Sequence, residues 1–220
     1  MPVKRFAAAK QRLSGLLDAD GRAALARAML DDLLALLCGD AGLAGTLVVG
    51  EEPEARVLCR RHGAAFLSVP DQVGLNGAIA RGEQDLAARG ASAMLVVPSD
   101  LPGLTRADLD ALRRALATCD VALVAAERDG GTNLLASPLP LAFAPSYGPA
   151  SFARHRAAAT AAGLTVGEPD CPGGRTDLDR PEDLAALGTC GLRTRAVLPH
   201  LKRDIRPRAA RPALTPIAAG

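Results

Sequence analysis

A chain of 220 residues with 49% hydrophobic content is long enough for one substantial core, and four Phe, one Tyr and no Trp leave little aromatic surface on which nucleic-acid bases could stack. The net charge of +2 conceals an asymmetry, because residues 193–220 carry seven Lys or Arg against the single Asp204 and leave residues 1–192 mildly acidic. No apolar run approaches the ~20 residues of a membrane helix, the first residues lack a signal peptide's apolar stretch, and five scattered cysteines without a C-x-x-C pair suggest neither a zinc site nor a disulfide framework, so a reducing cytoplasm is the expected compartment.

The opening "PVKRFAAAKQRL" sets Lys4, Arg5, Lys10 and Arg12 around an Ala-rich loop, where cations could hold a triphosphate or simply be solvated. Residues 18–39 predict a helix with Leu25, Met29, Leu33 and Leu36 on one face, acidic residues near its start and Gly39 at its stop. A β-branched run, "TLVVG", is followed by a helix around "PEARVLCRRHG", a strand "AAFLSVP", a helix through "NGAIARGEQDLAARG" and a strand "SAMLVVPSD". The next helix, "TRADLDALRRALA", opens with Thr105 and Asp108 at capping-box spacing, and "DVALVAAE" is again a buried strand. Continuous aliphatic strands alternating with amphipathic helices imply an α/β chain with a mostly parallel sheet covered on both faces.

After Glu127 the rhythm changes, with glycines and prolines between a short strand in "RDGGTNLLASP" and a helix that begins near Ser151. "LTVGEPDCPGGRTDLDRPEDLAALG" then gives a strand, a loop and a last helix with Pro181 in its first turn. The expected division is a catalytic domain over residues 1–192 and a basic, Pro-rich tail over 193–220 that reads as disordered.

The chemistry suggested by the residues is acidic. Neither G-x-G-x-x-G nor G-x-x-x-x-G-K-[ST] occurs, and His62, His155 and His200, none paired with a nucleophile, read as surface or capping residues. Asp100 ends a strand, where open α/β sheets bind ligands, although Asp is also a turn residue. Asp177 and Asp179, two apart in an extended segment, can face one side. Three carboxylates from two loops make a hard-oxygen site suited to Mg²⁺ completed by phosphates and water, with helix capping and solvation as the competing reading.

Taken in order, "PVKRFAAAKQRL", "VPDQVGLNGAIARG", "VVPSDLPGL", "DGGTNLL", "YGPASFARHRAAA" and "TDLDRPEDL" resemble the 2-phospho-L-lactate or phosphoenolpyruvate guanylyltransferase family of coenzyme F420 biosynthesis, over about residues 2–187. The resemblance implies a three-layer nucleotide-diphospho-sugar-transferase-like fold. It also implies a reaction, in which the phosphate of phosphoenolpyruvate, 2-phospho-L-lactate or 3-phosphoglycerate attacks the α-phosphorus of GTP and pyrophosphate leaves. Carried over by motif, Asp100, Asp177 and Asp179 hold Mg²⁺. Thr132, Gly148 and Ser151 hold the acid, and Gly74, Leu75 and Asn76 lie along the nucleotide with Lys4, Lys10 and Arg12. A free N-terminus at the helix beginning with Ser151 would favour an anion. The family's first strand precedes the basic loop, where this chain has only Met1, so either the true start lies upstream of Met1 or the sheet lacks most of a central strand. Two other readings remain: a nucleotidyltransferase of the same fold acting on a molybdenum cofactor or sugar phosphate, and a non-catalytic nucleotide-binding domain. Relatives of the former open on a Gly-rich loop absent here.

Overall fold

A computed structural model of the chain describes residues 1–188 and 190–203, the side chains of 185, 186 and 199–203 excepted. Among these residues the strands are β1 (Leu47–Gly50), β2 (Ala65–Ser68), β3 (Ala93–Val96), β4 (Val121–Ala125), β5 (Thr132–Pro138) and β6 (Val166–Gly167). The helices are α1 (Ala19–Cys38), α2 (Pro53–His62), α3 (Gly74–Ala88), α4 (Arg106–Leu116), α5 (Ser151–Ala161), α6 (Pro172–Arg175), α7 (Pro181–Ala186) and α8 (Leu192–Arg203).

Strand alternation creates the three layers. On β4, Ala122 and Val124 pack with Leu134 and Ala136 of β5 against Leu33 and Leu37 of α1 and Leu109 and Leu112 of α4. Val121 and Leu123 face the other way and meet Ile79 of α3 and Ala159 of α5. The same division holds on β1, where Val48 joins Leu30 and Leu34 of α1 and Leu58 of α2, while Leu47 and Val49 point to Ala78 and Leu86 of α3. On α1 the buried stripe includes Leu30, Leu34 and Leu37, whereas Leu36, expected on that face, is only half-buried.

The strands form two sheets, β1-β2 and β3-β5-β4-β6. β1 and β2 are parallel, as are β4 and β6, but β5 runs antiparallel to both neighbours. The reason is the short link from β4, in which Asp129 accepts the Gly131 N–H at 2.8 Å across a Gly-Gly turn. Six residues make a hairpin but not a parallel crossover.

The segment ahead of the basic loop pairs with β1. Met1 to Val3 run parallel to β1 through the Pro2–Val49 bridge, with Val49 N–H bonding Met1 O and Val3 N–H bonding Val49 O, both at 2.9 Å. In that ladder the main chain of Pro2 turns away from β1, and proline has no N–H to offer a further strand. α1 and α3 join the sheets instead, each packing against both. Gly50 at the end of β1 lets the N-terminal segment approach, since a Cβ there would lie 2.2 Å from Val3 O.

The boundary expected at residue 193 is corrected. Residues 192–203 form α8, and Asp32 of α1 caps it by accepting the Arg193 N–H at 3.0 Å and the Thr194 N–H at 2.8 Å. Val197 and Leu198 pack beside Leu25 and Met29, so a basic stretch with a capped start and an apolar side docks as a helix. Residues 204–220, the rest of the expected tail, lie outside the described residues, as does the side chain of His200.

The expected capping box on α4 forms, and it has a second use. Buried Asp108 accepts the Thr105 N–H at 2.8 Å and its hydroxyl at 2.6 Å, then reaches the Gly173 N–H of α6 at 3.2 Å. Asp108→Ala removes a cap and leaves the half-buried N–H groups of Thr105 and Gly173 without their acceptor, so urea unfolding is expected to show a loss of about 2–4 kcal/mol. A variant within about 0.5 kcal/mol of the parent would contradict this account.

Candidate active site

Two cavities meet at Asp100, which lines both. The larger, about 560 Å³, lies under the basic loop and is lined by Lys4, Lys10, Arg12, Gly74, Leu75 and Asp179 among others. That volume falls in the range that encloses a nucleotide-sized ligand. The smaller, about 200 Å³, is lined by Thr132, Tyr147, Gly148, Ser151 and Asp177. It suits only a few-carbon molecule.

The carboxylates are held by backbone geometry. Leu178 N–H donates to Asp100 O at 3.0 Å, tying the "TDLD" segment to the end of β3. Leu178 is buried against Leu13, Leu17, Leu25 and Met29, which turns Asp177 and Asp179 out of the core together. Asp183 fixes the turn by accepting the Asp179 N–H at 2.8 Å and the Arg180 N–H at 2.7 Å, and it is itself paired with Arg128. The two carboxylates separate beyond that point, with Asp177 reaching the smaller cavity and Asp179 the larger.

Lys10 joins them. It takes a left-handed backbone conformation, φ 54°, that few side chains adopt, and is only 9% exposed. Its Nζ lies 2.7 Å from Asp100 Oδ2 and 3.6 Å from Asp179 Oδ1, while Arg12 Nη1 bonds the other oxygen of Asp179 at 2.5 Å. Burial, and next the charge of Asp100, push the Asp177 carboxyl above the usual range. This is a place that favours positive charge. Among the described residues no three His, Cys, Asp or Glu side chains gather into a group that could hold a metal ion, so the expected convergence of Asp100, Asp177 and Asp179 into one ligand set is not formed in this arrangement.

The smaller cavity is built from β5, the loop before α5, and α5 itself. Gly148 has φ 135°, closed to most side chains, and its loop is clamped from three directions. Asn76 bonds both main-chain groups of Tyr147, Arg154 reaches Ser146 O at 2.7 Å and Pro149 O at 2.5 Å, and Ser146 N–H donates to His155 Nε2 at 2.8 Å. Ser151 accepts the Thr132 N–H at 2.8 Å, and Thr132 Oγ1 lies 2.8 Å from His155 Nδ1.

A model of guanylyl transferases of the CofC-like family matches residues 1–212. The chain belongs to this family. Similar CofC-like proteins include a phosphoenolpyruvate guanylyltransferase of Conexibacter woesei, 41% identical with 85% of each chain covered. A second phosphoenolpyruvate guanylyltransferase, from Sphaerobacter thermophilus, is 37% identical over 85% of this chain and 90% of its own. A 3-phospho-D-glycerate guanylyltransferase of Phenylobacterium zucineum is 40% identical over 92% of this chain and 95% of its own. In fold, the chain is similar to a crystal structure from Desulfovibrio desulfuricans G20, provisionally named a nucleotide-diphospho-sugar transferase, with TM-score 0.70 and 20% identity over 93% and 94% of the two chains. The α/β fold of the CofC-like chain is therefore of the nucleotide-diphospho-sugar-transferase type.

Several expected residues stand differently in this CofC-like chain than their motifs suggest. Asn76 is spent on Tyr147 and lies outside both cavity linings. Arg5 lines the larger cavity beside Lys4, Lys10 and Arg12, but its guanidinium is paired with Glu51 and Asp71. The N-terminus of α5 is less open than expected, because Ser151 N–H already bonds Gly148 O and Phe152 N–H bonds Gly130 O, both at 3.1 Å. His155, read as a surface or capping residue, is 0% exposed. Its signal was its spacing, since Ser151, His155 and Ala159 stand four apart on one helical stripe.

Burial, and next the neighbouring Arg154, lower the His155 imidazole from 6.5 to about 4. Between these values the unfolded chain binds the extra proton and the native one does not, so stability contributed by neutral His155 is complete above pH 6.5 and lost as pH falls towards about 4. Denaturant midpoints of the parent are expected to fall over that interval more steeply than those of His155→Asn, and parallel pH profiles would contradict the assignment.

Proposed function

We propose that the chain transfers GMP from GTP to the phosphate of phosphoenolpyruvate, releasing pyrophosphate, as a step of coenzyme F420 biosynthesis in the cytoplasm. The observation that carries this reading is the pair of cavities, one sized for a nucleotide and one for a few-carbon acid, meeting at Asp100. The names of the relatives support phosphoenolpyruvate first and 3-phospho-D-glycerate second. Among the described residues no helix is long and apolar enough to cross a membrane.

Chemically, a phosphate oxygen of the acid forms a bond to the α-phosphorus as the bond to the pyrophosphate oxygen breaks, opposite to it. Lys4, Lys10 and Arg12 hold the triphosphate in the larger cavity and offset the charge that grows on the leaving group. Thr132, Gly148 and Ser151 hold the acid, so that its phosphate points to the junction. Asp100, Asp177 and Asp179 are the residues that would hold Mg²⁺, which when bound supplies charge neutralisation and alignment of the two phosphates. Orientation in two adjoining chambers accounts for much of the rate, because it makes a bimolecular attack intramolecular.

The test is mass spectrometry of products from GTP and Mg²⁺ with phosphoenolpyruvate, 2-phospho-L-lactate and 3-phosphoglycerate in competition. A guanosine diphosphate-linked phosphoenolpyruvate adduct is the expected main product. Absence of product and of pyrophosphate with every acid would sink the reading, and CTP used in preference to GTP would favour the sugar-phosphate or molybdenum-cofactor type.

A further inference from the structure

The donor pattern around His155 has only one consistent solution. A main-chain N–H can only donate, so Ser146 N–H makes Nε2 of His155 an acceptor at 2.8 Å. A neutral imidazole whose Nε2 accepts carries its proton on Nδ1, and Nδ1 lies 2.8 Å from Thr132 Oγ1. Thr132 Oγ1 is thereby an acceptor, and it also accepts from Ser151 Oγ at 3.3 Å. Both lone pairs of the Thr132 hydroxyl are engaged by the protein. Its remaining proton is left for the smaller cavity, which Thr132 lines.

Resting on the proposed reaction, we infer that His155 is a positioning residue that acts through Thr132, committing its hydroxyl as a hydrogen-bond donor to the anionic end of the acid substrate. The groups around the ring favour this arrangement. Tyr147 packs edge-on at 4.8 Å between centroids and Phe143 lies at 6.3 Å, so the imidazole is walled by aromatic carbon and fixed in rotation. Arg154, next in sequence, bonds the main chain of Ser146 and Pro149 and so holds the acceptor side of the ring's environment in place. Among the described residues no carboxylate hydrogen-bonds the imidazole, which favours the neutral, Nδ1-protonated ring. The ring also links the two walls of the cavity, since Ser146 belongs to the Gly148 loop and Thr132 to β5. A hydroxyl that accepts twice is a stronger donor than one that accepts from water. A few-carbon phospho-acid presents acceptors only, in both its carboxylate and its phosphate, so a wall whose hydroxyls are committed to donation selects it over a neutral alcohol or amide of the same size.

The experiment separates a positioning role from a structural one. His155→Asn keeps a donor near the place of Nδ1, whereas His155→Gln keeps a polar group near Nε2 and loses the donor to Thr132. His155→Gln is expected to raise KM for phosphoenolpyruvate about tenfold, the value of one well-made hydrogen bond to a charged group, with KM for GTP within about twofold of the parent. His155→Asn should restore most of that loss. In a double-mutant cycle, His155→Gln added to Thr132→Val should cost little more than Thr132→Val alone. Independently of any variant, nitrogen-15 NMR of the three histidines should show one imidazole in the Nδ1-protonated tautomer from pH 5.5 to 8.

Equal effects of the Asn and Gln variants on both substrates, multiplicative losses in the cycle, or a buried imidazole protonated on Nε2 would each overturn the inference while leaving the guanylyltransferase reading intact. An unsubstituted protein that releases no pyrophosphate with any acid would overturn both.

Discussion

Asp100→Asn is expected to reduce pyrophosphate release from GTP and phosphoenolpyruvate by roughly a thousandfold or more with the fold preserved. The side chain is isosteric, and the hydrogen bond that ties the two acidic loops together uses the Asp100 carbonyl, which the substitution does not touch. What disappears is the negative charge of Asp100, the charged member of the four residues that line both cavities. Without it the proposed carboxylate set loses the member at the junction of the two cavities, while Lys10 retains only Asp179. Titration calorimetry should show GTP still bound in the absence of metal, because Lys4, Lys10 and Arg12 remain. Activity within about tenfold of the parent would remove Asp100 from the chemistry and return it to the status of a turn residue.

Lys10→Met should separate two effects that ordinarily move together. Its ammonium now occupies the space between Asp100 and Asp179, so it competes with any divalent cation for the same oxygens. Removing it is expected to lower turnover by roughly a hundredfold or more through loss of a phosphate-holding charge. The same change should strengthen Mg²⁺ binding in the absence of nucleotide. Thermal unfolding reports the second effect: the metal-free variant should melt lower than the parent at low salt, because three neighbouring carboxylates have lost their buried cation, and added Mg²⁺ should raise its midpoint by more than it raises the parent's. If turnover falls but the Mg²⁺-induced shift is no larger than the parent's, Lys10 serves the nucleotide alone and does not guard the carboxylates.

Much of the architecture was legible along the chain because it rests on local rules. A 3.6-residue period placed α1 and α4, runs of aliphatic β-branched residues placed β1, β3 and β4, and Thr105 with Asp108 marked a helix start that the structure closes as a full capping box. Position at a strand end singled out Asp100, and the two-residue spacing of Asp177 and Asp179 turned both away from the core because Leu178 between them is buried. The start of α8 was not legible, because its cap is Asp32 on another helix. Nor was the direction of β5 read, although the Gly-Gly turn before it held the information in a link too short to cross over.

The sequence by itself determined the layered α/β class, the strand ends on which chemistry sits and the motif set that resembles the guanylyltransferase family. Tertiary structure alone decided which side chains share a space. Lys10 meets Asp100 across 90 residues, and Arg12 meets Asp179 across 167. His155 meets Thr132 only because α5 lays its Ser151, His155, Ala159 stripe on the sheet. Periodicity and capping act within a few residues, whereas ion pairing, tautomer choice and burial depend on segments that are distant in the chain and are brought together only when apolar faces pack.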